Sequence, residues 1–158
     1  MLPDATLASS LHLKAALQYL HSNPSAHVPN PSGCTKRASV ALVIRMRPPP
    51  QQRASYDREQ LTKALPFDES LNRFFDQEWV RQSDPEILFI KRAARVGDRW
   101  TSQIAFPGGK KDPKDADDAA ASVRETLEET GLGLESEWCL RVGDLPQRII
   151  TVAWGKKP

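Results

Sequence analysis

Residues 7–20, LASSLHLKAALQYL, place Leu11, Leu13, Ala16, Leu17 and Leu20 at mixed three- and four-residue steps, the spacing of an amphipathic helix. Pro24 should stop it. The stretch from Ser22 to Arg37 is rich in Ser, Pro, Asn and Gly and lacks hydrophobic periodicity, so it reads as an exposed linker. Ala38 to Met46 reads as a buried strand, with Pro48, Pro49 and Pro50 as its terminator. Residues 55–82 hold one or two short helices, DREQLTKAL and then DESLNRFFDQEWV. In the second, Leu71, Phe74, Phe75 and Trp79 recur on one side, which marks core and not a base-stacking platform.

Pro85 starts a second strand, EILFIKRA, and a polar, basic stretch leads into SQIAFPGG, a short strand ending in a loop. A helix follows, then two strand-like runs, CLRVG and RIITVAW. Strands, loop, helix and strands in that order predict a mixed α/β sandwich, not a parallel doubly wound sheet. No internal repeat is present.

The chemistry concentrates between Phe106 and Leu132, FPGGKKDPKDADDAAASVRETLEETGL. Asp115, Asp117 and Asp118 crowd the expected helix start, where carboxylates cap free amides and suit the helix dipole; Gly131 is placed to end it. At 100° per residue, Ala119, Ala120, Val123 and Leu127 share one face, while Glu125, Glu128 and Glu129 fall within an arc of roughly 100° on the other side. Like charges at i, i+3 and i+4 repel unless something positive lies between them, and a hard divalent cation such as magnesium or manganese is the natural partner. Arg124, four residues before Glu128, can pair with it and hold the carboxylates in place.

Composition narrows the alternatives. The chain of 158 residues suits one domain, and 22 basic against 20 acidic residues leave a net charge of +2, too little to drive indiscriminate nucleic-acid binding. Cys34 and Cys139 lie far apart without neighbours at metal-ligand spacing, so two free thiols are expected. The longest apolar run, Val40 to Ile44, is followed by Arg45 and is far short of the roughly 20 residues that cross a bilayer. Asp4, Ser9, Ser10, His12 and Lys14 interrupt the apolar residues of the N-terminus, which is unlike a signal peptide, and the closing GKKP is not a peroxisomal tripeptide. An intracellular location, cytoplasmic or organellar (mitochondrion or peroxisome), is expected.

The segment from Gly109 to Leu132 resembles the Nudix box, Gly-x5-Glu-x7-Arg-Glu-U-x-Glu-Glu-x-Gly-U with U usually aliphatic. Gly109, Arg124, Glu125, Glu128, Glu129, Gly131 and Leu132 match it. Asp115 stands where the first Glu belongs, with eight instead of seven residues before Arg124, and Thr126 replaces the aliphatic residue. Upstream, LFIKRAARVGDRWTSQIAFPGG is similar to the signature of Nudix enzymes that act on coenzyme A, in Leu88, Arg92 and Phe106 to Gly109, although Ser102 replaces a common Gly.

The resemblance implies an α/β fold, a Nudix-type α/β/α sandwich with a mixed sheet, over residues 38–158, preceded by an N-terminal helix and linker over 1–37. Because RIITVAWGKKP stops before the further strands and second major helix of such domains, the sandwich is expected to be incomplete at its C-terminus. It also implies magnesium-dependent hydrolysis, with manganese as a substitute, of a diphosphate bond in a nucleoside diphosphate linked to another moiety, coenzyme A or its derivatives first. Glu125 and Glu129 are the implied metal ligands, with the Gly109 carbonyl adding an oxygen. Glu128 is a further ligand or the catalytic base, and Arg124 orients the carboxylates. Arg92, Arg95 and Arg99 are candidates for the substrate phosphates, against the plainer reading of a solvated basic loop. The expected partner is a small-molecule nucleotide, with no membrane and no specific nucleic acid; a homodimer is compatible with the sequence. The alternatives are a Nudix hydrolase for ADP-ribose or another nucleotide, and a catalytically inactive, truncated Nudix-like fragment that binds a nucleotide or a protein.

Overall fold

Leu13 and Leu17 turn inward from the first helix, α1 (Ala5–Ser22), and meet a core built further along the chain. The computed structural model describes residues 5–48, 50, 65–94, 96–97 and 102–150. Leu11, expected inside, points to solvent, and Ser10 is buried in its place. The core centres on Met46, Leu71, Phe75 and Val80, with Phe67, Phe74, Trp79 and Leu140 packed around them. Each fully buried side chain of this kind stabilises the fold by about 2 kcal/mol. The residues expected to share one side, Leu71, Phe74, Phe75 and Trp79, do so on α2 (Phe67–Asp76) and α3 (Glu78–Arg81), which join at the extended Gln77. Phe74 meets Phe75 and Trp79 edge-on, the arrangement ring quadrupoles favour. Of the helix expected over DREQLTKAL, all but Leu65 lies outside the described residues.

The run expected as one strand from Ala38 to Met46 divides into β1 (Ala38–Val40) and β2 (Ile44–Arg47), because its halves bond to different partners. β2 pairs with β3 (Asp84–Ile87), whereas β1 pairs with β6 (Gly108–Lys110). The run after Pro85 divides likewise into β3 and β4 (Ile90–Lys91), and β4 pairs with β5 (Ile104–Ala105). The amide of Ala41 donates to the Pro107 carbonyl at 2.8 Å, and that of Leu88 to Val43 at 3.0 Å, so both ladders extend one bond into the breaks. The α/β class is as expected. Among the described residues, however, the sheet consists of three two-stranded antiparallel ribbons, with no parallel pair to make it mixed.

Residues 139–143, expected as a strand, form none. Leu140 covers the core instead, and the Val142 carbonyl accepts a hydrogen bond from His21 Nδ1 at 2.8 Å, where a neighbouring strand would have bonded. His21 itself stacks on Phe67. Residues 148–150 of the last expected strand are also irregular, and 151–158 lie outside the described residues. Among the described residues no helix is long and apolar enough to cross a membrane.

α4 (Asp118–Thr130) begins and ends as the sequence indicates. Asp117 is its N-cap, accepting from the Ala120 amide at 2.7 Å, and Gly131, at φ 73°, donates its amide to Leu127 in the left-handed turn that closes it. Its buried face is not the one that Ala119, Ala120, Val123 and Leu127 share. Ala121, Ser122 and Thr126 are buried against β1 and β6, while Leu127 is half exposed. Small residues allow the helix to lie close on strands whose own contribution is Gly108 and Gly109. The hydroxyls of Ser122 and Thr126 are satisfied within the helix, by the carbonyls of Ala119 at 2.8 Å and Ser122 at 2.6 Å. This explains how Thr126 occupies a position where an aliphatic residue is usual.

Candidate active site

Because the buried face runs through Ser122 and Thr126, the helical turn of 100° per residue brings Glu125 and Glu129 toward the β1–β6 ribbon and leaves Glu128 to the side. What receives them is the paired glycine of β6. Gly108 sits at φ 148°, and a Cβ there would collide with the Ser39 carbonyl oxygen and come within 2.6 Å of the Val40 Cα. Both obstacles are backbone. Gly108→Ala is therefore expected to destabilise the fold by about 3 kcal/mol, seen as a lower midpoint in chemical denaturation. The Gly108 amide donates to Glu129 Oε2 at 2.9 Å. At Gly109 a Cβ would lie 2.5 Å from Glu125 Cδ and Oε1, so the missing side chain is the space the Glu125 carboxylate occupies.

Arg124 holds the remaining acids. Its Nε and Nη2 fork onto the two oxygens of Asp115 at 3.0 and 2.9 Å, and Nη2 also donates to the Lys110 carbonyl at 3.1 Å. Nη1 lies 3.1 Å from Glu125 Oε1 and 3.4 Å from Glu128. One guanidinium thus ties the β6 strand, the loop after it and the acidic helix together, which suits its planar set of donors.

Asp115 is the residue that sequence reasoning undervalued. Its side chain is 6% exposed, and besides Arg124 it accepts from the Asp112 amide at 2.7 Å. The Arg124 fork, followed by that amide, lowers its pKa from 3.8 to about 2, and Asp115 in turn raises that of Arg124. The available signal was an acid six residues after Gly109. Its irregular distance from Arg124 is harmless because Asp115 precedes the helix, where a loop absorbs an extra residue. Since the folded pKa lies below the unfolded one, the stabilisation is fully present above about pH 4 and lost as the pH falls toward 2. Thermal melts between pH 5 and 2 should show the wild type losing stability across that window more steeply than Asp115→Asn.

The expected convergence of three carboxylates is corrected. Among the described residues no three His, Cys, Asp or Glu side chains gather to enclose a metal ion. Glu125 and Glu129 meet the glycine pair, while Glu128, with its side chain 57% exposed, turns to Arg124, whose positive charge relieves the repulsion. The donor set still fits magnesium, which commonly takes one or two carboxylates and completes its shell with water and substrate phosphate. Glu125 and Glu129 would hold it, over a strand with no side chain in the way. Of the substrate-binding candidates, Arg92 follows β4, its amide donating to the Gln103 carbonyl at 2.9 Å, on a different ribbon from the glycine pair. Arg95 and Arg99 lie outside the described residues.

The NUDIX domain family matches residues 79–146, which include every residue of this acidic cluster. That stretch is similar to a Nudix domain. An uncharacterized protein of Schizosaccharomyces pombe is 32% identical over 128 residues, covering 81% of this chain and 33% of that protein. The mitochondrial coenzyme A diphosphatase NUDT8 of Homo sapiens is 42% identical over 53 residues, 34% of this chain and 22% of that enzyme. The peroxisomal coenzyme A diphosphatase NUDT7 of Mus musculus is 44% identical over 46 residues, 29% and 19% respectively. The chain thus spans a third or less of these relatives. No solved structure matches it. Asp115 lies within the matched residues, and the strand that forces glycine at position 108, β1, lies ahead of them.

Proposed function

We propose that the chain is a magnesium-dependent pyrophosphohydrolase that cleaves the diphosphate of a nucleoside diphosphate linked to another group, with coenzyme A as its substrate. The observation that carries the reading is the seating of Glu125 and Glu129, four residues apart on α4, against the bare backbone of Gly109 and the amide of Gly108. Two carboxylates fixed at one edge of a helix, with no side chain between them and the strand, favour a cation-dependent phosphate site over a solvated acidic face. The names of the human and mouse relatives support coenzyme A as the first substrate.

A bound divalent ion would supply charge neutralisation at the phosphate oxygens and activation of water. The residues of the chain do the rest. Arg124, saturated by Asp115, Glu125, Glu128 and Lys110, fixes the positions of the acids and leaves little donor capacity for substrate. Glu128, the most exposed of the acids that Arg124 contacts, is the carboxylate able to accept a proton from the attacking water. Hydrolysis of coenzyme A adds one water across the diphosphate and releases 4′-phosphopantetheine and adenosine 3′,5′-bisphosphate. Following both products by chromatography, with magnesium, manganese or chelator, tests the proposal. Release in either metal and none in chelator is expected. With ADP-ribose assayed alongside, no cleavage of either compound under any condition would sink the hydrolase reading, and cleavage of ADP-ribose with coenzyme A left intact would reassign the substrate.

A further inference from the structure

Phe89 and Phe106 stack with ring centroids 4.8 Å apart and planes 20° from parallel. They stand one step beyond the Ile90–Ala105 pair of the β4–β5 ribbon, opposite one another across the strands. Alternation along the ribbon places Phe89, Lys91, Ile104 and Phe106 on one face. That face is open: Phe89 is 51% and Ile104 65% exposed. The aromatic residues of α2 and α3 differ, since they meet edge-on around the core. A single exposed apolar side chain needs no explanation, but a stacked pair continued by an exposed Ile is a patch that suits a ligand.

The patch leads into the acidic site. Pro107 alone separates Phe106 from Gly108, whose amide holds Glu129, so the Phe106 and Gly108 Cα atoms are at most about 7 Å apart.

We infer that the Phe89–Phe106 pair is a stacking platform for the aromatic base of the nucleoside diphosphate, and that it sets a preference for nucleoside over simple diphosphates. The inference rests on the diphosphate-site reading above. Every base offers a flat π face to an aromatic ring, and a pair already stacked loses little freedom on receiving it. Phe89 supplies the exposed ring, and Phe106 backs it and ties it to the glycine turn.

The test is equilibrium binding of ADP and of inorganic pyrophosphate, in magnesium, to the full chain and its Phe89→Ala, Phe89→Leu and Phe89→Trp variants. The half-exposed position makes the substitutions tolerable to the fold, which circular dichroism checks. Phe89→Ala and Phe89→Leu should each weaken ADP roughly fivefold or more while pyrophosphate stays within about twofold, and Phe89→Trp should retain ADP. Loss of both ligands in parallel, unchanged ADP binding, or a wild type that binds ADP no more tightly than pyrophosphate would overturn the platform and leave the diphosphate site standing. A wild type that binds neither would remove the diphosphate site and the platform with it.

Discussion

Glu129→Gln is expected to lower magnesium-dependent turnover by about a hundredfold or more while leaving the melting temperature almost unchanged. The Gln side chain has the same shape, and its amide oxygen can still accept the 2.9 Å hydrogen bond from the Gly108 amide, so the anchor survives. What disappears is the negative charge, half of the carboxylate pair that a cation would use. Initial rates at saturating substrate, beside a thermal melt of the same preparation, separate the two effects. A variant that turns over like the wild type would show that Glu129 serves only to hold the glycine strand.

Gly109→Ala should give a comparable loss by another route. Its methyl would arrive 2.5 Å from Glu125 Cδ and Oε1, and the end of a flexible side chain yields more readily than backbone, so Glu125 moves and the strand stays. Folding is expected to survive with a cost of about 1 kcal/mol or less, while activity falls on the order of a hundredfold as one carboxylate leaves its seat. The contrast with Gly108→Ala, where the added methyl meets the backbone of Ser39 and Val40, makes the neighbouring glycines a controlled pair. One substitution injures the fold and spares the helix acids; the other does the reverse. Equal loss of stability in both would show that the Glu125 carboxylate cannot be displaced without unpacking α4.

Much of this arrangement was legible in the residues. The bounds of α4 followed from Asp117 and Gly131, and the core role of Leu71, Phe74, Phe75 and Trp79 from their spacing, because caps and helical periodicity act between residues close in the chain. The orientation of α4 was not legible. Ala119, Ala120, Val123 and Leu127 share one face by spacing, but a strand made partly of glycine favours close approach by Ala121, Ser122 and Thr126. Asp115 was also undervalued, since its place in a loop removes the helical spacing by which it would have been recognised.

The sequence by itself determined the local elements and the inventory of acids, for these depend on contacts a few residues long and on the chemistry of each side chain. Tertiary structure alone decided which acids share a seat and which strand each half of an extended run bonds to. The physical reason is that backbone donors and acceptors are alike at every position. Only the three-dimensional neighbours choose among them, as when Ser39 and Val40 of β1 leave room for nothing larger than hydrogen on Gly108.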